Sequence, residues 1–452
     1  MKSIPQHTIE YIDKWLEMRW KWEYIPGFSV AIAKDGKVLF KGAYGYADTD
    51  TKQKMTPHHL FRIASQSKTF TATSIMQLEE QGKLRIDDPV IMHLAWLKDH
   101  SDKRWSEVTI RQLLSHSAGV VRDGLDADYW QLGRDFPDKD QLHGAIMDSD
   151  LIVEPNTRLK YSNYGYSLLG EVIELVSGMS YNEYVTVHII EPLGLKDTYP
   201  EYNDKIASRL STGYTRQNLQ RTRIAFPHVV TRSMSAATGF CSNVNDLMIY
   251  YAAQQVGSGK LLSDASKKEM QRVHWKSSRK DGSYGLGFEM EKVGDRHLFG
   301  HSGGFPGFIT RTAIDPKDKV AVTVLTNCHG AWAGMIVKAI YGLIDEFGDE
   351  PPNKSHLKYE GRFVSLHGLM DIVAHAGGVR ALYPNSWFPV DAVDKLSIID
   401  DNTLRIEETS DFDNPGEEIK YIRGSNGRIE KIIDGGGTRF PSLDGDLMTL
   451  WT

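Results

Sequence analysis

The sequence predicts an α+β protein. An antiparallel sheet is flanked by helices, carries a helical region, and is followed by a small antiparallel β-barrel. Three observations predict it. First, two short apolar runs at 28–33 and 38–42 enclose Lys34-Asp35-Gly36-Lys37, which reads as a β-hairpin around an Asp-Gly turn. Second, strand signals return at 308–315 and 319–326 around Pro316-Lys317-Asp318, so strands at both ends of a long segment close one sheet with helices between them. Third, helix signals fade beyond the polar stretch 348–354, and short strands recur between Asp-Asn, Asn-Pro-Gly, Ser-Asn-Gly and Gly-Gly-Gly breaks.

Taken in order, residues 8–24 read as an amphipathic helix. Ile9, Ile12, Leu16 and Trp20 share one face, and Glu10, Asp13, Lys14 and Glu17 the other. After the hairpin, residues 69–340 read as mostly helical with many glycine and proline breaks. Helices are expected at 109–115, 163–177, 181–190 and 243–256, and a last apolar one at 331–347. Tail strands are expected at 395–399, 403–406 and 429–433. The domain plan is therefore 1–347, a linker at 348–355, and a β-domain at 356–452.

Composition excludes several classes of function. Hydrophobic residues make up 40% and charged residues 25%, which suits a folded globular chain. The net charge of −6 offers no phosphate-binding surface, so nucleic acid is not an expected partner. Two cysteines, Cys241 and Cys328, cannot build a disulfide framework or a metal cluster; a pair of buried free thiols is expected. Sixteen histidines form no His-x-x-x-His or His-Glu-x-x-His pair on a clear helix, so neither a metal nor another cofactor is expected. No run of 18 apolar residues suggests a membrane span, and the N-terminus shows no signal peptide. The expected compartment is the cytoplasm, or outside it if a leader has been trimmed.

Three segments carry chemistry. In Ser65-Gln66-Ser67-Lys68, an apolar run leads in and a helix leads out, so Ser65 falls at a helix start with Lys68 one turn later on the same face. A serine nucleophile needs such a neighbour to take its proton, and backbone N–H donors to steady an oxyanion. Ser277-Ser278-Arg279-Lys280 and Ser355-His356-Leu357-Lys358 share the spacing but lack the helix. In Tyr161-Ser162-Asn163, the phenol and amide precede an amphipathic helix; the phenol can relay a proton if cations such as Lys68 lower its pKa. In His301-Ser302-Gly303-Gly304, glycines admit close backbone approach, and His301 can meet a substrate carboxylate. Each piece alone reads equally as a cap or a turn. Tyr383-Pro384-Asn385 and His375-Ala376-Gly377 show how cheaply single matches arise.

The three in this order resemble the serine β-lactamase and penicillin-binding-protein superfamily, in its class C-like branch, for which Ser-x-x-Lys is an established signature. Framework segments match too: Phe61-Arg62-Ile63-Ala64 before Ser65, Leu84-Arg85-Ile86-Asp87-Asp88-Pro89-Val90 after its helix, and Thr109-Ile110-Arg111-Gln112-Leu113-Leu114-Ser115-His116-Ser117-Ala118-Gly119. The resemblance covers roughly residues 8–345. It implies a β-lactamase-like fold with Ser65 acylated, Lys68 and Tyr161 moving protons, and Asn163 holding Lys68 and substrate. Gly303 and Gly304 would line the site, with Gly304 giving an oxyanion N–H beside that of Ser65. His301 stands where β-lactamases have a lysine, and resembles the variant of D-aminopeptidases.

The resemblance thus implies a serine hydrolase acting on small peptides, amides or esters. A peptidase comes first, with D-residues in view; then a carboxylesterase, a β-lactamase, and last an inactive binding protein. The tail, opening with Tyr359-Glu360-Gly361-Arg362-Phe363 and nearly closing with Gly437-Thr438-Arg439-Phe440-Pro441, resembles lipocalin-like barrels appended to family peptidases. Such barrels restrict access to the cleft or build homo-oligomers.

Overall fold

Ile9, Ile12, Trp15 and Leu16 are buried along helix α1 (Gln6–Trp22), three and four residues apart, while Glu10, Asp13, Lys14 and Glu17 stay exposed. This computed structural model describes residues 3–278, 282–409 and 414–442. Arg279 and Lys280 of the second Ser-x-x-Lys stretch lie outside the described residues. The chain divides into two compact units, Tyr24–Gly334 and Met1–Glu23 with Met335–Thr452.

In the larger unit, Asp35 and Gly36 take φ of 50° and 75°, and the turn they make folds β1 (Gly27–Lys34) onto β2 (Lys37–Asp48). Strand β3 (Gln53–Lys54) follows. Helix α2 (Ser67–Glu80) is buried from Ser67 to Leu78, and its hydroxyls turn back onto its own backbone: Thr73 donates to the Thr69 carbonyl at 2.8 Å and Ser74 to that of Phe70 at 3.0 Å. Helix α3 (Ile110–Leu114) starts at a Thr109/Gln112 capping box. Helix α4 (Asn163–Ser177) is capped by Ser162, whose Oγ accepts the Gly165 N–H at 2.8 Å, and stops at Gly178 in the left-handed region. The helix expected at 181–190 is α5 (Tyr181–Val185) followed by a π turn, and Asn243 caps α6 (Val244–Ala253).

Six more strands complete the sheet: β4 (Trp275–Lys276), β5 (Gly282–Tyr284), β6 (Glu289–Val293), β7 (Arg296–Phe305), β8 (Phe308–Asp315) and β9 (Val320–Thr326). Among the described residues the order is β3-β2-β1-β9-β8-β7-β6-β5-β4, antiparallel throughout. The first and last parts of this unit thus pair in the middle, β1 against β9 with Val30 opposite Val324. The reading of 69–340 as mostly helical fails over 275–305. Strands β4 to β6 are a half-exposed edge with few buried side chains, so neither strict alternation nor an apolar run marks them. Helix α6 packs on β1 and β9.

The smaller unit holds α1, helix α7 (Ala333–Phe347) from Met335 onward, and a closed eight-stranded antiparallel barrel. Its strands are β10 (Gly361–Ser365), β11 (Gly368–His375), β12 (Gly378–Leu382), β13 (Val393–Asp400), β14 (Thr403–Glu408), β15 (Glu418–Arg423), β16 (Ile429–Asp434) and β17 (Gly437–Pro441). The two segments that open and close the tail meet: Phe363 pairs with Pro441 and Val364 with Phe440, which removes both sheet edges. Phe363, Ile372, Val379, Leu404, Ile419 and Ile432 fill the interior. Strand β11 is buried on both faces, because Tyr11 of α1 donates to Asp371 at 2.9 Å and Arg362 grips the same carboxylate through two bonds of 2.8 Å.

Candidate active site

Ser65 sits on a 3₁₀ turn, Ala64–Gln66, that runs straight into α2. Ala64 has a φ of 53°, a left-handed conformation that costs an alanine about 1–2 kcal/mol. The surroundings hold it there. Ser67 Oγ donates to the Ala64 carbonyl at 2.6 Å, Thr310 Oγ1 to the Ile63 carbonyl at 3.1 Å, and Gln66 Nε2 to Thr310 Oγ1 at 2.9 Å. Tyr251 fixes the other end of that amide at 3.0 Å. Strand β7 presses against the turn so closely that a Cβ at Gly303 would lie 2.2 Å from the Ile63 carbonyl oxygen. A Cβ at Gly304, next along and on the opposite face of the strand, would meet only Ile309 Cδ1 at 3.8 Å.

Lys68 is fully buried and its Nζ lies within hydrogen-bond distance of three oxygens: Ser65 Oγ at 3.1 Å, Asn163 Oδ1 at 2.7 Å and the Ala237 carbonyl at 2.8 Å. Asn163 is the first residue of α4 rather than its cap, which leaves its amide free to turn inward. Its Nδ2 donates to Asp123 Oδ1 at 2.7 Å, and because a carboxylate only accepts, the amide oxygen must face Lys68. Burial brings Lys68 down to about 7, against a partial restoring pull from Asp123. Donor counting then gives the Lys68–Ser65 contact a direction. Asn163 Oδ1 and the Ala237 carbonyl can only accept, so a neutral amine spends both its N–H bonds on them and points its lone pair at Ser65. The hydroxyl then donates to the amine, the arrangement that lets a serine lose its proton.

The Tyr161 ring lies 4.9 Å from Lys68 Nζ and packs tilted, at 37°, against the His116 ring with centroids 4.1 Å apart, and its hydroxyl lies beside Ser65. Burial raises its pKa well above the usual phenol value, so the lowering expected from nearby cations does not prevail. Tyr161 keeps its proton and can give it away.

His301 is fully buried with both ring nitrogens engaged. Nδ1 lies 2.6 Å from the Ser302 carbonyl and must donate; Nε2, 2.9 Å from the Tyr284 hydroxyl, accepts from it. Burial lowers its pKa to about 4, and neither nitrogen is left for a substrate carboxylate.

The structure therefore brings Ser65, Lys68, Tyr161 and Asn163 together, with Gly303 against the turn and Gly304 beside it. Sequence reasoning missed Asp123, the Ala237 carbonyl, Tyr284 and the Gln66–Thr310 clasp. Of these only the charged pair Arg122-Asp123, just beyond the His116 segment, leaves a mark in the sequence; a backbone carbonyl leaves none. Cys241 and Cys328 are free and buried.

Residues 12–340 match the Beta-lactamase family. The chain belongs to that family. Protein flp of Staphylococcus aureus (strain MW2) is 28% identical over 340 residues, 74% of this chain and 66% of that protein. The chain thus spans slightly less than two thirds of that relative's length. Among solved structures, the octameric penicillin-binding protein homologue from Pyrococcus abyssi superposes with a TM-score of 0.67 at 23% identity, over 95% of this chain and 99% of that one. The D-amino acid amidase from Ochrobactrum anthropi SV3, complexed with D-phenylalanine, gives 0.63 at 23% identity over 75% and 99%. These solved structures share the fold. No helix among the described residues is long and apolar enough to cross a membrane.

Proposed function

We propose that this protein is a serine hydrolase that cleaves amide bonds of small peptides, D-residues included, through an acyl-Ser65 intermediate. The observation that carries the reading is the Ser65–Lys68 contact beside a full set of acceptor-only partners for the amine. Ser65 Oγ attacks the substrate carbonyl carbon and its proton passes to Lys68 Nζ. The oxyanion settles on the N–H groups of Ser65 and Gly304. As the C–N bond breaks, the leaving nitrogen takes a proton from Tyr161, which is resupplied from Lys68. Water then adds to the acyl carbonyl by the reverse relay, frees the acid and restores the Ser65 hydroxyl.

His301, neutral and engaged, offers no cation of the kind a lysine gives β-lactamases, which supports a peptidase over an antibiotic-hydrolysing enzyme. The amidase likeness agrees with amides as substrates. Residues 1–347 would act as the hydrolase domain and 356–452 as the barrel, joined at 348–355. The octameric state named for the Pyrococcus abyssi homologue extends the proposal to a homo-oligomer, for which light scattering should give a mass several times 51.0 kDa.

The test is covalent labelling. A fluorophosphonate probe should modify Ser65, and Ser65→Ala should abolish the label; modification of another serine, or of none, would refute the reading. Turnover of D- and L-aminoacyl anilides against short-chain nitrophenyl esters then separates a peptidase from a carboxylesterase.

A further inference from the structure

With His301 closed off, the site needs another group if its substrates carry a carboxylate. Arg122 has the geometry. Its main chain is pinned, since its carbonyl accepts the N–H groups of Asn163 at 2.9 Å and Tyr164 at 3.2 Å at the start of α4. Its side chain is 65% exposed, yet its guanidinium carbon lies 5.6 Å from the Tyr161 ring centre. Nε pairs with Asp123 Oδ2 at 3.0 Å, and Asp123 is also bound to Asn163 through its other oxygen. Arg122 is therefore tied through one carboxylate to the amide that orients Lys68, with its head at the surface beside the phenol.

We propose that Arg122 recognises a free carboxylate on the substrate and makes this a hydrolase of acidic acyl peptides rather than of neutral amides. This rests on the Ser65 acylation reading above. A planar guanidinium takes a carboxylate through two parallel N–H bonds, which a lysine cannot match. Placed over Tyr161, it sets that carboxylate beside the proton donor and so fixes the register of the scissile bond.

The experiment compares an N-acetyl dipeptide bearing a free terminal carboxylate with its terminal carboxamide, in the parent protein, Arg122→Gln, Arg122→Lys and His301→Gln. The parent should prefer the free acid. Arg122→Gln should cut that preference about ten-fold, through KM, and Arg122→Lys should restore part of it. The preference should also weaken as salt rises, because the cation is exposed. A parent with no preference, an unaltered ratio in Arg122→Gln, or a preference lost only in His301→Gln would overturn the proposal. Fluorophosphonate labelling of Ser65, a neutral readout, is measured alongside. A parent that labels but shows no acid preference refutes the Arg122 assignment alone; a parent that does not label on Ser65 refutes the hydrolase reading beneath it.

Discussion

Replacing Lys68 by methionine should slow acylation of Ser65 a hundred- to ten-thousand-fold, the span a positioned general base contributes. The substitution keeps most of the volume and removes the lone pair. In the parent, the labelling rate should rise with pH along a limb centred near 7, because only the unprotonated amine can accept the Ser65 proton. His301, held to about 4, titrates below this window and adds no limb of its own. Asp123→Asn sharpens the assignment. The asparagine keeps an oxygen for the Asn163 amide but loses the negative charge that favours protonated Lys68, so the limb should move to lower pH. A limb that stays put in Asp123→Asn, or survives in Lys68→Met, would mean another group is the base.

The same burial marks stability. An unfolded lysine titrates near its ordinary value of 10.5, whereas folded Lys68 does so at about 7. Between those values the unfolded chain carries the extra proton. Stability therefore rises with pH by about 1.4 kcal/mol per unit from this group, flattening above the upper value. Lys68→Met removes that slope. Urea melts from pH 7 to 10 should show the variant's stability falling steadily relative to the parent's, and parallel curves would show that the amine is charged in the fold.

The sequence made the site legible in unequal parts. Ser65 and Lys68 stood out because a helix fixes i and i+3 on one face, and Tyr161 and Asn163 because α4 begins just after them. What they do to each other depended on burial, which sequence does not display. The phenol was expected to be lowered by cations, yet desolvation raises it. His301 was expected to face substrate, yet Tyr284, from the weakly patterned edge strand β5, takes its free nitrogen. The fold followed the same rule. Strands with strong local chemistry were readable: the pair β8–β9 to within a residue, and the Asp35-Gly36 turn with β1 likewise, although β2 runs six residues past its expected end at 42. The edge strands β4 to β6, whose pairing comes from their neighbours, were not.

Gly303→Ala should reduce acylation by at least about a hundred-fold while the protein stays folded. The new Cβ would lie 2.2 Å from the Ile63 carbonyl oxygen and 2.4 Å from Thr310 Oγ1, so β7 must retreat by roughly 1 Å to reach ordinary contact. A retreat of that size at a reacting group costs about two orders of magnitude in rate, whereas overpacking of one methyl costs about 1–3 kcal/mol of stability. The strain would fall on Ala64, which already holds a left-handed φ and is the residue before Ser65. Adding Thr310→Ala should not restore activity, because the Ile63 carbonyl is backbone and cannot be trimmed away. Gly304→Ala is the measure of specificity. Its Cβ would meet only Ile309 Cδ1 at 3.8 Å and its N–H is kept, so it should lose less than about ten-fold. If the two alanine variants lose activity equally, the contact between β7 and the Ser65 turn is not what aligns the site.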